Sequence, residues 1–537
     1  MAQAASELAQ PASSAHSPWS PLLYTWFRWL WIASIVSNIG TWMQNVGAAW
    51  HMATLASSAL LVALVQTATN LPVFLLGVPA GAIGDIVDRR KLLLVTQAWM
   101  LAAAAALGIL TITGATGPWT LLWLTFALGL GATMNGPAWQ AIMPELVPKS
   151  ELPAAIALNS MGFNLARAIG PALGGLVVAA VGAGAAFLLN ALSFVGVLIV
   201  LHQWKRAPEH ASQSTERVMD AIWAGMRYVR FAPTMHAVLL RSGSFVISAS
   251  ALWSILPLVA KVELHRESSG FGLLLGCLGT GSILGALTIG RVRQLFSPEV
   301  IVTAATTLFG LVNIALAYLE SFTAVAFVLL AGGVAWMAVN ANLNTAAQTS
   351  LPAWVRARAL ALYLLVFQGA MAVGSVIWGE VASRFGLRIT LLSAGIALCA
   401  AAAATARLRL TGSRELDTTP SMHLPEPTLL VERHPDHGPV LVTVEYSIDP
   451  KRGAQFAETM EAVRRIRRRD GAIRWGLFED AANPGRYIET FVVESWAEHL
   501  RQHERMTVSD REIETNAWAF HLAGDPPKVT HWIAARE

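Results

Sequence analysis

The charge-free stretches of this 537-residue chain constrain its fold more than any other feature. Residues 29–84 (56 positions) and residues 92–144 (53 positions) contain no Asp, Glu, Lys or Arg. A helix needs about 20 consecutive apolar residues to cross the hydrocarbon core of a bilayer. Each stretch is therefore long enough for two membrane-spanning helices joined by a short turn.

The rest of the first 410 residues repeats this pattern, and the whole chain is 54% hydrophobic and only 13% charged. A soluble protein carries about 25% charged residues. We expect an all-α membrane protein with twelve spans in two six-helix bundles, followed by an α+β soluble domain. The predicted spans are 24–51, 58–80, 92–113, 119–141, 154–180, 185–204, 236–260, 269–290, 299–319, 322–346, 357–380 and 388–408.

The density of charge changes near residue 438. Residues 1–438 carry 42 charged side chains, whereas the last 99 residues carry 30. This step predicts a boundary between a membrane part and a soluble part. The predicted organisation is a disordered cytoplasmic tail (1–20), a first bundle (21–204), a cytoplasmic linker (205–234), a second bundle (235–410), a second linker (411–438) and a cytoplasmic soluble domain (439–537).

Loop charge predicts the orientation of the chain. With the N-terminus inside, sixteen basic residues fall on the inner side and four on the outer side. Basic residues are retained on the cytoplasmic side of membranes, so both termini are expected there. The first 20 residues contain no Lys or Arg, which argues against a cleavable signal peptide.

The two halves also share a short repeat. Residues 140–147 (QAIMPELV) return as residues 348–355 (QTSLPAWV), 208 positions later, each at the inner end of a predicted span. A repeat at half the length of the membrane part indicates two bundles related by an axis along the membrane normal.

Composition excludes several other classes of protein. Cys277 and Cys399 are the only cysteines and both lie in apolar stretches, so no disulfide, metal site or cofactor is expected. The basic run 464–469 is offset by acids, because the last 99 residues hold 14 basic and 16 acidic side chains. We therefore expect a small-molecule substrate and a lipid bilayer as partners, and no nucleic acid.

The segment GAIGDIVDRRK, residues 81–91, separates the first two charge-free stretches. Gly81 permits close helix contact, and Asp85 precedes Arg89 by four residues, the ion-pairing spacing if the helix continues. With Arg90, the pattern resembles the loop signature of the major facilitator superfamily, although that family often has a base at position 86 and Gly at position 88. The resemblance implies that Asp85 belongs to a cytoplasmic latch that closes the inner gate. A plain topology-setting loop would also carry the basic residues.

The fifth predicted span contains NLARAIGPALGG, residues 164–175. Gly170, Pro171, Gly174 and Gly175 resemble the antiporter motif of the same superfamily, which is found mainly in exporters. An ordinary small-residue packing face is the alternative. Together with a soluble C-terminal domain, the two motifs resemble a bacterial branch that includes enterobactin-type siderophore exporters and the transmembrane secretion effectors. This resemblance places the chain in the bacterial cytoplasmic membrane.

Polar side chains inside spans are candidates for substrate binding, because they are costly in a bilayer. Arg167 shares a helix face with Asn164, and either lines the cavity or forms a structural pair. Arg241 lies nearer the inner surface. Spans 1, 4, 7 and 10 line the cavity in the superfamily, which favours Asn38, Asn45, Asn135, Asn340 and Asn344. Six aromatic residues could stack on a planar substrate or serve only in packing: Trp31, Trp42, Phe74, Trp139, Trp253 and Trp336.

The soluble domain shows a βαββαβ order, which predicts a ferredoxin-like fold. Its segment VVESWAEHLRQHERM, residues 492–506, resembles antibiotic-biosynthesis-monooxygenase-like domains, which dimerise. Trp496, His499 and His503 either mark an active pocket or pack a helix on the sheet. An interaction or regulatory role is the favoured prediction for this domain.

The sequence therefore predicts a secondary-active exporter of a siderophore, drug or other metabolite that works by alternating access. Proton coupling is implied by the resemblance, but the first six spans contain no Asp or Glu and only Glu380 lies in a later span. The alternative is a membrane-tethered enzyme with monooxygenase-like chemistry in residues 439–537.

Overall fold

The computed structural model describes residues 17–204, 218–410, 417, 419–421 and 437–535. Most of the expected tail (1–20) and of the expected linker 411–438 lies outside these residues. The described chain forms two compact units. The first consists of the helical bundle up to residue 204 and of residues 243–341 and 365–404. The second consists of residues 218–242, residues 342–364 and the described residues from 405 onward.

Six long helices form the first half of the chain. Their ends coincide with residues that cannot continue a helix or that begin one well, such as Gly182 at φ 88° between the fifth and sixth helices and Pro118 in the first turn of the fourth. The helices are α1 (Thr25–Leu55), α2 (Ala59–Ile86), α3 (Arg89–Ile112), α4 (Pro118–Leu146), α5 (Leu152–Val181) and α6 (Ala183–Gln203).

The second half begins with a short amphipathic helix inside the segment predicted as a linker (205–234). The longest helix that follows is interrupted at Gly386, whose φ of 82° and ψ of 168° lie outside the helical region, so two helical segments meet there. The helices are α7 (Val218–Phe231), α8 (Pro233–Leu258), α9 (Ser268–Leu295), α10 (Pro298–Leu316), α11 (Phe322–Thr349) and α12 (Ala353–Thr405).

Nine helices of the described chain are long and apolar enough to cross a membrane, against twelve predicted spans. One difference is α12, which counts once although Gly386 divides it. The other two are α1 and α4, which are long enough but fall short in mean hydropathy because of their Trp, Asn, Gln and Thr side chains. α1 and α4, the least apolar of these long helices, carry polar side chains that face a cavity.

The two copies of the internal repeat end their helices differently. Pro144 lies inside α4, which continues to Leu146, whereas Pro352 lies between the end of α11 at Thr349 and the start of α12 at Ala353. A proline is tolerated near a helix end because the missing N–H has little effect there. The repeat therefore marks the same position in each half but not the same local backbone.

The soluble part contains a four-stranded antiparallel sheet with strand order β2-β3-β1-β4. Its core includes Val442, Tyr446, Phe456 and Met460, contributed by alternate residues of β1 and one face of α13. All four predicted strands and both predicted helices are present, and α15 is an addition. The elements are β1 (Val440–Ser447), α13 (Gly453–Asp470), β2 (Arg474–Glu479), β3 (Arg486–Val493), α14 (Trp496–Arg505), α15 (Val508–Trp518) and β4 (Lys528–Ile533).

Candidate functional site

A cavity of about 590 Å³ lies within the first six helices. Its wall contains many carboxamide and hydroxyl side chains, and no charged side chain of the described residues is among them. Four of the predicted binding residues lie in this wall and come from three helices: Asn38 and Asn45 from α1, Asn135 from α4 and Asn164 from α5. The fold thus brings together side chains that are up to 126 positions apart in the sequence.

Sequence reasoning missed other polar residues of the same cavity. Within the described chain, Nε2 of Gln44 and Oε1 of Gln97 have no hydrogen-bond partner, although the two residues are only 4% and 3% exposed. Asn190 of α6 donates to Oε1 of Gln44 at 2.5 Å. A buried polar atom without a partner costs free energy, so such atoms in a cavity wall are available to a ligand or to water. The signal that could have found two of them is an amide within an apolar run, Gln97 in α3 and Asn190 in α6.

Asn135 is held by its neighbours. Its Oδ1 accepts hydrogen bonds from Oγ1 of Thr96 and from Nε2 of Gln97, both at 3.2 Å. This leaves its Nδ2 group as the donor that remains for the cavity. The network between α3 and α4 fixes the orientation of the amide before any substrate arrives, which reduces the entropy lost on binding.

Two predicted binding residues, Asn340 and Asn344, are not in the wall of this cavity. Nδ2 of Asn340 donates to the carbonyl oxygen of Trp336 at 2.8 Å, one turn earlier in α11. Oδ1 of Asn344 accepts from Nε2 of Gln348 at 3.1 Å. Both amides are therefore engaged within their own helix.

Arg167 of α5 lies three residues beyond Asn164 but is also absent from the cavity wall. Its guanidinium carbon lies 5.9 Å from the ring centre of Trp42 in α1, at the outer limit of a cation–π contact. Within the described residues it has neither a hydrogen bond nor an ion pair. A half-buried guanidinium without an anionic partner is unusual in a membrane helix, and no structural pair for Arg167 is formed here.

Arg241 has a clear structural environment by contrast. It is only 2% exposed, and its Nη2 donates to the carbonyl oxygens of Ala406 and Leu408 at 3.0 and 2.8 Å. These carbonyls belong to the turn that follows Thr405, the last residue of α12, where the helix dipole favours a positive charge. The guanidinium therefore caps a helix rather than snorkelling to the surface.

The connection between α2 and α3 differs from the sequence prediction in one respect. α2 ends at Ile86 and α3 begins at Arg89, so Asp85 and Arg89 are not on one continuous helix and the premise of helical ion-pairing spacing was wrong. Val87 takes an extended conformation, and Asp88 caps α3 by accepting from the backbone N–H of Lys91 at 2.9 Å. Capping by Asp88 requires the chain to leave the helix before this residue.

The two arginines of this connection bind other helices of the bundle. Nη1 of Arg89 lies 2.8 Å from Oε1 of Glu145 in α4. Arg90 donates to the carbonyl oxygens of Leu201 and His202 at the end of α6, at 2.8 and 2.7 Å. The segment thereby ties α3 to α4 and to α6 at one end of the first bundle.

The glycines of the fifth helix allow close backbone contact on two sides. A Cβ added at Gly174 would lie 2.8 Å from Cα of Met43 in α1. A Cβ added at Gly175 would lie 2.7 Å from the carbonyl oxygen of Ser268 and 2.8 Å from Cα of Gly272 in α9. α9 belongs to the second half of the chain, so these glycines permit a direct helix–helix contact between the halves. Gly81, in contrast, has no atom within 4 Å of such a Cβ.

Aromatic residues of the second half form a packing cluster instead of a free stacking surface. The ring of Trp336 lies 5.3 Å from that of Trp253 and 5.5 Å from that of Phe245, measured between ring centres. Trp336 is buried, and contacts of this geometry stabilise a core. For Trp253 and Trp336 the packing interpretation is therefore favoured.

In the second unit, helix α7 packs against the soluble domain through an aromatic pair covered by arginines. Tyr228 of α7 and Trp354 of α12 are in edge contact at 5.7 Å. The guanidinium of Arg469 lies 5.3 Å from the Tyr228 ring, and that of Arg505 lies 4.5 Å from the Trp354 ring. Burial raises the pKa of the Tyr228 hydroxyl to about 12, so this ring stays neutral at physiological pH.

Glu498 of α14 forms ionic contacts with three arginines where α7 packs against the soluble domain. Its carboxylate accepts from Arg227 of α7 at 2.8 Å, from Arg505 at 2.6 Å and from Arg501 at 2.9 Å. Burial opposes its ionisation, but the hydrogen bonds and charges of these arginines, Arg505 first, outweigh burial and hold its pKa below the ordinary 4.5. Glu498 is therefore ionised at neutral pH and joins α7 to the soluble domain.

The three candidates for an active pocket in the soluble domain are packed residues. Trp496 and His499 are 3% and 2% exposed, and the His499 ring lies 4.8 Å from that of His503. Burial, reinforced by the neighbouring His503 and His531, lowers the pKa of His499 to about 3, so it remains neutral. The adjacent cavity of about 30 Å³ has room for one water molecule only. Among the described residues no group of three or more His, Cys, Asp or Glu side chains is arranged to hold a metal ion.

Comparison with known proteins gives a family match over nearly the whole chain. Residues 16–537 match the family model described as "Transmembrane secretion effector". The chain is 23% identical to the staphyloferrin A transporter of Staphylococcus aureus over 69% of its own length and 92% of that protein. It is 24% identical to the multidrug efflux pump Tap of Mycobacterium bovis over 74% of its own length and 96% of that protein.

Solved transporter structures share the fold. A bacterial homologue of the human lysosomal transporter Spinster, in an inward-facing and occupied conformation, superposes with a TM-score of 0.57 at 16% identity, over 74% of this chain and 98% of that one. The nucleoside transporter NupG superposes with a TM-score of 0.54 at 12% identity, over 71% and 98% of the two chains. At such identities the likeness concerns the fold alone.

Proposed function

The chain belongs to the transmembrane secretion effector family, and from this premise we propose that it exports a small polar molecule by alternating access. The observation that carries the proposal is the amide-rich cavity of about 590 Å³ inside the first bundle. A cavity of this volume is in the range for ligands of drug or metabolite size. Transport, rather than chemistry, is the activity supported by the family and by the named relatives.

The prediction that the protein is a small-molecule transporter and not an enzyme is confirmed by these comparisons. Enzymatic chemistry in residues 439–537 has no support from the family or from the relatives. The alignments cover 92% and 96% of these two relatives, yet they match only 69% and 74% of this chain. Proteins named as a staphyloferrin A transporter and as a multidrug efflux pump therefore share the matched part with this chain.

We further propose twelve spans, both termini in the cytoplasm and location in the bacterial cytoplasmic membrane. The proposal rests on the helices α1–α6 and α8–α12, with α12 crossing twice because Gly386 divides it. We propose the domain limits predicted from the sequence, with the soluble domain beginning where the density of charge rises near residue 438 and with α7 as a helical part of the linker 205–234. The strand order of the soluble domain supports the ferredoxin-like fold, and its kinship to monooxygenase-like domains remains a proposal.

Substrate binding is proposed for the cavity wall, with Asn38, Asn45, Asn135 and Asn164 as hydrogen-bonding groups. Gln44 and Gln97 are added because buried polar atoms of both have no partner in the described chain. We also propose Arg167, three residues after Asn164 in α5, as the contact for an anionic or catechol-like group of the substrate. Asn340 and Asn344 are weaker candidates for substrate binding, since the side chain of each forms a hydrogen bond within its own helix.

Gating is proposed for the α2–α3 connection and the glycines of α5. Asp85, with Gly81, Arg89 and Arg90, would form the latch that closes the inner side. The arginine contacts with α4 and α6 support this role, since they hold the connection at one end of the bundle. Gly170, Pro171, Gly174 and Gly175 would provide the surface along which the two halves move.

Proton coupling remains part of the proposal without an assigned residue. The carboxylate of Glu380, the one acid predicted within a span, accepts from Arg384 at 2.5 Å, one turn later in α12. A proton-carrying role for Glu380 would require this ion pair to break during the cycle. Transport in vesicles with an imposed pH gradient, compared between the native chain and Glu380→Gln, tests that role directly.

For the soluble domain we propose an interaction or regulatory role. Its contacts with α7 and with Trp354 link it to the segment that joins the two bundles. Dimerisation through this domain is also proposed, because Phe478, Val529 and Trp532 are exposed on its strands. The mass of the purified protein–detergent complex distinguishes a dimer from a monomer.

The export function is tested by comparing metabolites inside and outside cells. In a strain without the gene we expect at least one small molecule to accumulate inside and to decrease in the medium. Restoring the native gene should reverse both changes, whereas Asn135→Leu, which removes the cavity amide and keeps the volume similar, should not. Identical metabolite profiles in all strains would contradict the proposal.

A further inference from the structure

A second, larger cavity of about 900 Å³ lies within the second unit, between α7 and α13. Five arginines and two glutamates line it, so the wall carries an excess of positive charge. The transport cycle uses none of these residues. The arginines are Arg227 and Arg230 of α7 and Arg464, Arg465 and Arg468 of α13.

Two of the five arginines have neither a hydrogen bond nor an ion pair within the described chain. Arg227 binds Glu498 at 2.8 Å, Arg464 binds Glu461 at 3.1 Å, and Arg468 donates to the carbonyl oxygen of Ile473. Arg230 and Arg465 have neither a hydrogen bond nor an ion pair within the described chain. Each guanidinium offers five N–H donors, so ten donors on opposite walls of one cavity are available.

Like charges brought together across a cavity repel, and an anion between them removes the repulsion. Guanidinium groups bind phosphate and carboxylate in a bidentate manner, which makes such an arginine cluster selective for oxyanions. The cavity therefore favours a ligand with an oxyanion head.

Apolar side chains line the same cavity. Trp223 of α7 is 61% exposed and Ile473 of the α13–β2 loop is 45% exposed, and Phe231 completes this part of the wall. Exposed tryptophan beside arginine is typical of surfaces that bind amphiphilic ligands. α7 ends at Phe231 and the candidate span α8 begins at Pro233, so the cavity lies within two residues of a membrane helix.

We propose that this cavity binds a phosphate ester that carries an apolar group, as in the headgroup region of an anionic phospholipid or in a soluble phosphate ester. Arg230 and Arg465 bind the phosphate, and Trp223 with Ile473 contacts the apolar part. Because one wall is α7 and the other is the soluble domain, the ligand bridges the linker helix and that domain. The site is separate from the proposed transport cavity.

The test uses the full chain purified in detergent, with three probes: dihexanoyl phosphatidylglycerol, dihexanoyl phosphatidylcholine and hexyl phosphate. Binding is measured by calorimetry at low and high salt. The variant is Arg230→Gln with Arg465→Gln, which removes two unpaired charges and no observed bond. The matched control is Arg511→Gln, an exposed arginine of α15 outside the cavity.

We expect saturable binding of phosphatidylglycerol that weakens at least tenfold in the double variant, weakens with salt and is unchanged in the control. Binding of hexyl phosphate with similar affinity would assign the site to soluble phosphate esters, and its absence would assign it to lipid. Equal binding of phosphatidylcholine, unchanged binding in the double variant, or no binding of either anion would overturn the proposal. Equal melting temperatures of variant and native protein without ligand show that the fold is retained.

Discussion

At the scale of single residues, the two aspartates of the α2–α3 connection have different roles. Asp88 begins α3 by accepting from Lys91 N–H, whereas Asp85 belongs to the last turn of α2. Replacing Asp85 by Asn keeps the size and removes the charge. We expect normal insertion but export at least tenfold slower, equivalent to about 1.4 kcal/mol, because the latch loses its anion.

The matched control is Asp88→Asn, which removes the same charge three residues later. Asn caps helices about as well as Asp, so α3 should still begin at the same residue. Export should then stay within about twofold of native, a change worth roughly 0.4 kcal/mol. Equal loss in both variants would mean that the charge of the connection matters and that Asp85 has no special role. Efflux from loaded cells is the measurement.

Arg167 and Arg241 both lie in membrane helices, but substitutions at the two positions should have different effects on stability and export. Arg167 has no described partner besides the Trp42 ring, so Arg167→Ala should cost only about 1 kcal/mol of stability. Arg167→Lys should fold normally yet export at least tenfold less, because lysine cannot reproduce the bidentate geometry of guanidinium. Thermal stability in detergent and efflux are measured for both variants.

Arg241→Ala is the contrasting variant. The carbonyl oxygens of Ala406 and Leu408 lose this donor at the end of α12, which should destabilise the protein by about 1–3 kcal/mol. A fully active Arg167→Lys together with an unfolded Arg167→Ala would make Arg167 a structural residue and remove it from the binding site.

At the scale of elements, the contact between α5 and α9 depends on Gly175. An added methyl group would lie 2.7 Å from the Ser268 carbonyl oxygen, closer than packing allows. We expect Gly175→Ala to destabilise the protein by about 1–3 kcal/mol and to slow export, because the helices must separate. The control, Gly196→Ala in α6, has no atom within 4 Å of the new methyl group and should be neutral or slightly stabilising. Similar melting temperatures for the two variants would contradict this contact.

The junction of α7 with α14 depends on Glu498. Glu498→Gln leaves the guanidinium of Arg505, which is 6% exposed, without its anion, and this should destabilise the junction by about 3 kcal/mol. Hydrogen exchange in residues 218–231 and 496–505 of the full chain reports the change. Arg501→Gln is the control, since Arg501 is 42% exposed and an exposed pair contributes little.

The same junction should depend on pH. The pKa of Glu498 in the folded protein lies below its ordinary 4.5, so its contribution is present above pH 4.5 and is lost as the pH falls through the lower, folded value. Faster exchange of α7 in the native chain at acidic pH is therefore expected, with Glu498→Gln showing little further change. If acid accelerates exchange equally in both proteins, Glu498 is not the titrating group.

At the scale of the whole molecule, the proposed binding cavity is built from residues 34–197 alone. A chain ending at Leu410 should therefore insert and should retain export within about threefold of native, a change worth roughly 0.7 kcal/mol. The two named relatives are aligned over 92% and 96% of their own length but match only 69% and 74% of this chain, which is consistent with that expectation. Efflux by the shortened chain, normalised to its amount in the membrane, is the measurement. Complete loss of export would show that the soluble domain is required for transport.

Much of the architecture could be predicted from the sequence because its causes are local. Long charge-free stretches predict membrane helices wherever they occur, and the alternation in residues 440–448 predicts the strand that became β1. Helix α13 of the soluble domain likewise follows from the spacing of Phe456, Met460 and Val463. Asn38, Asn45 and Asn135 could be selected because the resemblance to the superfamily implies that spans 1 and 4 line the cavity, and Asn164 because it shares a helix face with Arg167.

Other features depend on which residues the fold brings together, and no local pattern contains them. Arg89 binds Glu145, 56 positions away, because the chain leaves the helix after Ile86 and Asp88 caps the start of a new one. Gln97 and Asn190 became cavity residues, and Asn340 did not, because helix rotation and packing decide which face of a span meets a cavity. Glu498 gathers arginines that are three to 271 positions away, since a buried carboxylate is stable only where several cations converge on it. The sequence by itself determined which segments are helices and strands, whereas the partners of the buried polar groups were decided by tertiary packing, which acts between residues distant in the chain.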